Sequence, residues 1–222
     1  MNIICLIPAR KNSTRIKNKN LKKIKKKSLV SIACEVASKC QFFSKIILSS
    51  DSKKILDSSK KFKNIEAILR PKKFSKKNTN MASLVKHILD KLNKDKKCYP
   101  EAIAIMQPTS PLRKINTINK ACLKFIRLKP DALITIKKVK HSETPNMIFE
   151  INKKKKFQKL NLKINSNKKN YFVLDGGVLF LFKIKNNNRY ILDGKTICQE
   201  VKFPENIDID NYNDLKLARM YA

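Results

Sequence analysis

Short apolar runs of β type alternate along this chain with segments of helical periodicity. Asn2–Ile7, Lys45–Ser49, Glu66–Leu69, Ala102–Met106 and Asp131–Ile136 read as strands. Between them Leu29–Cys40, Ser52–Lys61, Met81–Leu92 and Ile115–Leu128 carry apolar residues at helical spacing. The alternation predicts βα units around a mostly parallel sheet, in an α/β chain. Regularity breaks after Lys137, and Asn152–Asn170, rich in Lys and Asn, reads as an exposed β extension or a flap. Order returns at Phe172–Phe182, where Gly176 and Gly177 allow a close backbone approach or an unusual turn before a buried strand. Ile197–Phe203 reads as a further strand, and a closing helix starts near Tyr212. The whole of 1–222 is expected to form a single domain, with 138–171 as a β extension, dimerisation segment or flap within it.

Sites in such sheets form beyond the carboxyl ends of the strands, so the strand-ending loops carry the chemistry. The first strand stops at Pro8 and empties into Ala9-Arg10-Lys11-Asn12-Ser13-Thr14-Arg15, with Lys19-Asn20 just beyond. Arg10, Arg15 and Lys19 can neutralise phosphate charge, while Ser13, Thr14 and backbone N–H groups can donate to it. With no glycine in the segment, it is neither a Walker loop nor a dinucleotide fingerprint. The plain alternative is a solvated basic loop. The later strands end in Ser49-Ser50-Asp51, in Leu69-Arg70-Pro71 and in Gln107-Pro-Thr-Ser-Pro-Leu-Arg113. Ser50 or Asp51 would also serve as a helix N-cap. In the last loop two prolines stiffen a backbone that presents Gln107, Thr109, Ser110 and Arg113, either to read a base or ribose or as an ordinary turn.

Near the other end, Asp208 and Asp210 alternate around Ile209. In extended chain the two carboxylates point the same way and Ile209 packs inward. Such a pair suits Mg²⁺, which takes few protein carboxylates and completes its shell with phosphate and water. The alternative is that Asp210 caps the closing helix.

Charge changes the picture less than its size suggests. The chain has 51 Lys+Arg against 17 Asp+Glu, a formal +34. The excess is lysine spread through the whole length, without the clustered arginine and aromatic platforms of RNA readers, so no specific nucleic acid is expected as a partner. Weak polyanion binding at low salt and capture of an anionic nucleotide are both compatible with the field. No apolar run is long enough to span a bilayer, and Leu21–Lys27 has too few apolar anchors to lie on one. The six cysteines contain no C-x-x-C pair and only His87 and His141 accompany them, so they read as reduced thiols in a cytoplasmic protein rather than a zinc site.

Several of these segments match one pattern in order. Ile7-Pro-Ala-Arg10 with Ser13 and Lys19-Asn20-Leu21, Ile47–Asp51, Leu69-Arg70-Pro71, Met106–Arg113, Ile207–Asp210 and Asp214-Leu215 together resemble the acylneuraminate cytidylyltransferases, which join CMP to nonulosonic acids. The resemblance implies a Rossmann-like nucleotidyltransferase fold, CTP as donor, a keto-sugar acid as acceptor, Mg²⁺ as cofactor and a homodimer. Carried over, it makes Arg10, Ser13 and Lys19 triphosphate ligands and gives Asn20 a nucleotide contact. It places Arg70, Gln107, Thr109 and Ser110 on the cytidine and sugar side, and gives the metal to Asp208 and Asp210. Arg10, Lys19 and Asp210 would carry catalysis, with Gln107, Asp175 and Gly176 near the acceptor. Two departures stand out. Asp175-Gly176 replaces the Asn-Gly of sialate synthetases, and an Asp facing a sugar carboxylate would argue for an acceptor other than sialic acid. Thr14-Arg15 stands where many members have Lys-Gly, keeping the charge but not the backbone freedom. The competing readings are a nucleotidyltransferase for another NTP or sugar, and a nucleotide- or polyanion-binding protein without turnover.

Overall fold

The computed structural model describes residues 1–76, 79–94, 99–144, 149–151, 157–159, 171–184 and 194–222. In chain order the strands are β1 (Ile3–Pro8), β2 (Lys23–Ile24), β3 (Lys27–Ser28), β4 (Phe43–Ser50), β5 (Ile65–Leu69) and β6 (Ala102–Ile105). They continue with β7 (Ala132–Lys138), β8 (Phe149–Ile151), β9 (Phe157–Lys159), β10 (Phe172–Leu174), β11 (Phe180–Lys183) and β12 (Thr196–Glu200). The helices are α1 (Leu29–Ser38), α2 (Lys53–Leu56), α3 (Met81–Lys94), α4 (Ile115–Leu128) and α5 (Tyr212–Met220). Among the described residues eight strands make the main sheet. The ladders β4–β1, β5–β4, β1–β6 and β12–β7 are parallel, and β10 and β11 run antiparallel to their neighbours.

Why the sheet sits where it does follows from β1, an unbroken apolar run buried on both faces, as parallel strands are. Ile3, Cys5 and Ile7 point into a core with Val30, Ala33 and Ala37 of α1 and Ile118, Ala121 and Phe125 of α4. Ile4 and Leu6 point the other way, onto Leu84, Val85, Ile88 and Leu92 of α3. A two-residue side-chain period thus builds a helix–sheet–helix sandwich. A third, smaller cluster joins Ile16 of the first loop, Ile24, Leu29, Ile207, Ile209 and Leu215. It clamps the two ends of the chain together.

One expectation changes. The helix expected over Ser52–Lys61 stops after one turn at Leu56 and tightens into a 3₁₀ turn over Asp57–Ser59. There the Ser59 hydroxyl donates to the Leu56 carbonyl at 2.8 Å, competing with helix propagation. The basic run Leu21–Lys27 holds the β2–β3 hairpin, with Ile24 buried and Lys23, Lys25, Lys26 and Lys27 exposed. Of 138–171, the described part holds the β8–β9 ladder, and most of the Asn152–Asn170 segment lies outside the described residues.

The feature that shapes the site is a break between β10 and β11. β11 pairs β7 over Ala132–Ile134 and β10 pairs it over Ile136–Lys138, so residues 175–179 leave the ladder opposite the single residue Thr135. Thr135, fully buried, pins the excursion. Its hydroxyl donates to the Leu179 carbonyl at 2.8 Å and accepts from the Leu179 N–H at 3.1 Å.

Candidate active site

The excursion carries Asp175-Gly176-Gly177 toward the carboxyl ends of β1 and β6. Gly176 has φ +95°, and a Cβ there would sit 2.7 Å from Cγ of Asp208. At Gly177 a Cβ would meet Cβ of Gln107 at 2.8 Å. The glycine pair is therefore the cradle against which Asp208 and Gln107 lie, the close approach that the sequence foresaw. The Gln107 N–H donates to the Gly177 carbonyl at 3.1 Å, which ties the β6 loop to this turn.

Asp175 stands elsewhere than expected. It is 1% exposed, and its Oδ1 accepts from the Gly177 N–H at 2.8 Å and the Val178 N–H at 3.1 Å. It organises the turn from beneath and does not face an acceptor, so its charge says nothing against sialic acid. The buried cation above it is Arg113, 4% exposed, a residue for which the sequence suggested presentation rather than burial. Its Nε donates to the Ser110 carbonyl at 2.7 Å, Nη1 to the Val178 carbonyl at 3.0 Å, and Nη2 to the Gln107 carbonyl. Burial lowers its pKa to about 10, with Asp175 as the largest opposing influence. Arg113 thus joins the Gln107–Arg113 loop to the glycine turn.

The chain terminus meets the same loops. The Ile209 N–H donates to the Thr109 carbonyl at 2.8 Å, and the Ile209 side chain is fully buried. Asp208 and Asp210 flank it, the first against Gly176 and the second against Arg15 and Lys19. Asp210 does not cap α5. Asn211 does, accepting from the Asp214 N–H, while Asp214 accepts from the N–H groups of Asp210 and Asn211. Asp208 presses against Gly176 with Oδ1 buried and without a hydrogen-bond partner among the described residues. Burial pushes its carboxyl up; the Thr109 hydroxyl and Lys19 oppose this, and Asp210 and Asp175 add to it. An orphaned, desolvated carboxylate oxygen beside a second carboxylate is a donor set that fits Mg²⁺. Among the described residues no cluster of three or more His, Cys, Asp or Glu competes as a metal site.

Opposite them lies the loop after β1. Lys19 Nζ donates to the Ile209 carbonyl at 2.6 Å and lies 3.6 Å from Asp210 Oδ1, while Arg15 Nη1 is 2.6 Å from Asp210 Oδ2. Asn20 is buried and its amide donates to the Arg10 carbonyl at 2.8 Å, so in this structure it braces the loop. Asp51, suggested as a helix cap, instead accepts from the Lys11 N–H at 2.7 Å and braces the loop's other side.

Three adjoining cavities share Gln107 as a common wall. The first, about 230 Å³, is lined by Arg10, Ser13, Arg15, Lys19, Thr109 and Asp210 among others. The second, about 260 Å³, adds Arg70, Phe74, Thr79 and Asn80 to Arg10. The third, about 360 Å³, is apolar, with Met81, Ile134, Leu174, Phe180 and Phe182. Sequence reasoning missed Phe74, Asn80 and Met81; Met81 was legible only as the start of a helix, and Phe74 lies in a 3₁₀ turn before it. Arg70 is buried at the second cavity with Nε unpartnered, and burial lowers its pKa. Ser110 is fully buried behind the loop with an unpartnered hydroxyl, away from the cavity linings, and His141 is exposed on a 3₁₀ turn. Arg10, Ser13, Lys19, Asn20, Gln107, Thr109 and Asp210 are brought together at the first cavity, Arg70 joins them at the second, and Gly176 and Asp208 stand behind.

The described residues contain no helix long and apolar enough to cross a membrane. Cys5, Cys34, Cys40, Cys122 and Cys198 are free thiols, and Cys98 lies outside the described residues.

Solved structures share the fold. A CMP:2-keto-3-deoxy-manno-octonic acid synthetase complexed with CTP superposes with a TM-score of 0.70 at 13% identity, covering 100% of this chain and 98% of that one. A 4-diphosphocytidyl-2C-methyl-D-erythritol synthase from Anaerococcus prevotii gives 0.67 at 15% identity, covering 99% and 95%. In sequence, the pseudaminic acid cytidylyltransferase of Campylobacter jejuni is 25% identical, with 99% of this chain and 96% of that protein covered. The CMP-N,N'-diacetyllegionaminic acid synthase of Legionella pneumophila is also 25% identical, over 98% and 95%. The cytidylyltransferase family pattern matches residues 4–215, and with a cationic cleft lined by Asp210 on a nucleotidyltransferase fold, the chain belongs to the cytidylyltransferase family.

Proposed function

We propose that this protein transfers CMP from CTP to the anomeric hydroxyl of a nonulosonic acid and releases pyrophosphate, working as a Mg²⁺-dependent homodimer in the cytoplasm. The observation that carries the reading is that three neighbouring cavities share Gln107 as a wall. A triphosphate matches the cationic first cavity, a base and ribose the polar second, and a sugar acid the apolar third. The names of two relatives matched along nearly their whole length, a pseudaminic acid cytidylyltransferase and an N,N'-diacetyllegionaminic acid synthase, support the donor and the acceptor class. Leu174, Phe180 and Met81 suit the methyl groups of acetamido substituents better than a chain of free hydroxyls.

The chain's own residues do the work of positioning and charge neutralisation. Arg10 and Lys19 take up charge growing on the departing pyrophosphate. Lys19 is held ready by the Ile209 carbonyl, so little reorganisation is needed. Gln107, whose backbone N–H donates to Gly177 and whose carbonyl accepts from Arg113, orients the acceptor toward the α-phosphorus for in-line attack. Asp208 and Asp210 would hold Mg²⁺, which when bound polarises the phosphate and lowers the pKa of a nearby hydroxyl. The homodimer reading is supported by β10, which among the described residues pairs only with β7 and leaves Phe172, Val173 and Leu174 exposed. The test of the reading is pyrophosphate release from CTP against a panel of keto-sugar acids, with UTP, ATP and GTP as alternative donors.

A further inference from the structure

Arg15 stands where its charge has two uses. Its guanidinium lies 2.6 Å from Asp210 Oδ2, and Lys19 lies 3.6 Å from Oδ1, so both oxygens of this carboxylate face cations. The two cations are not equivalent. Lys19 is 15% exposed and spends a proton on the Ile209 carbonyl at 2.6 Å. The Arg15 side chain is 63% exposed on an irregular loop, and it lines the same cavity as Arg10, Ser13 and Thr14. A divalent cation needs a bare carboxylate oxygen at about 2.0–2.1 Å and is repelled by a guanidinium beside it. A triphosphate offers that guanidinium a better partner, because planar bidentate pairing with phosphate is what arginine does well.

We propose that Arg15 is a charge-exchange residue: it occupies Asp210 while the cleft is empty and transfers to the triphosphate when nucleotide arrives, so that divalent metal binds more weakly to the empty cleft than to the nucleotide-loaded one. This rests on the reading of Asp208 and Asp210 as the metal carboxylates. It gives Arg15 a role that a lysine followed by glycine at this turn would fill poorly. A lysine makes no fork to a carboxylate, and a glycine would leave the loop free to wander. Holding Asp210 in a pair also keeps two neighbouring carboxylates from repelling one another in the empty cleft.

The experiment is a binding measurement on the full chain. Mn²⁺ is titrated into nucleotide-free protein and free ion is read by its paramagnetic resonance signal. In parallel, CTP binding is followed by calorimetry in EDTA. Arg15→Gln is expected to bind Mn²⁺ about fivefold more tightly, the size of an exposed ion pair removed from competition. The same variant is expected to bind metal-free CTP about tenfold more weakly, as the removal of one charge-assisted hydrogen bond to phosphate implies. Asp210→Asn is the reference and is expected to lose Mn²⁺ binding. Unchanged or weaker Mn²⁺ binding by Arg15→Gln, with binding abolished in Asp210→Asn, overturns the exchange and leaves the metal site standing. Mn²⁺ binding indifferent to Asp210→Asn overturns both.

Discussion

Gly176→Ala separates the cleft from the rest of the fold most cleanly. At φ +95° an L side chain is strained, which costs about 1–3 kcal/mol of stability. In a chain of this size that is a fall in melting temperature of roughly 3–10 °C. The added methyl would stand 2.7 Å from Cγ of Asp208 and 2.9 Å from its Cβ. Ordinary carbon contacts lie at about 3.5–4.0 Å, so the carboxylate must retreat by about 1 Å. A displacement of that size at a reacting centre costs about 100-fold in turnover. Gly194→Ala is the internal control. Gly194 has φ +105°, and a Cβ there would approach Cγ of Asp131 at 3.0 Å. It lies just before β12, at the sheet end opposite the cleft, since β12 runs parallel to β7 and Thr196 pairs with Ala132. Thermal melts of the two variants should fall together, while continuous pyrophosphate release should collapse only for Gly176→Ala. Near-normal turnover by Gly176→Ala in folded protein would refute the claim that this turn positions Asp208.

Other variants probe the neighbouring parts. Asp208→Asn should abolish turnover yet raise the metal-free stability by about 1 kcal/mol at neutral pH, as removal of a destabilised site group commonly does. Because burial raises the folded carboxyl's pKa above its unfolded value near 3.9, the ionised group costs stability above the raised pKa. The gain from Asn should therefore shrink as pH falls through that window and vanish below the unfolded value, which urea melts across the pH range will read. Arg113→Met should cost about 3–5 kcal/mol in a denaturant titration, since it abandons three carbonyls and leaves Asp175 buried without its cation. Lys19→Met should keep the fold and lose about 100- to 1,000-fold in kcat. Asp51→Ala should unbrace the loop after β1 at Lys11 and raise KM for CTP with kcat nearly intact, because the missing acceptor is worth about 1–3 kcal/mol.

Much of this was legible in the residues. The strands that end at the cleft appear where their apolar runs lie, because a strand buried on both faces admits little else. The inward packing of Ile209 was legible in the Asp208-Ile209-Asp210 alternation, and that isoleucine is fully buried. What could not be read depends on partners far off in sequence. The burial of Asp175 follows from an excursion opposite Thr135, and nothing local marks the threonine that pins it. Arg113 in a polar loop gives the same sequence signal whether it reaches solvent or three carbonyls. Asp51 braces a loop forty residues away, where a cap was the nearer reading. The failed helix over Ser52–Lys61 turned on one hydroxyl bonding a carbonyl.

The central claim is that one continuous cleft joins CTP to a sugar acid. Purified protein, Mg²⁺, CTP and a 5,7-diacetamido nonulosonic acid should release pyrophosphate in step with formation of the CMP-sugar, with CTP preferred over UTP, ATP and GTP. No pyrophosphate with any keto-sugar acid, or release that ignores the acceptor and the choice of base, would contradict it.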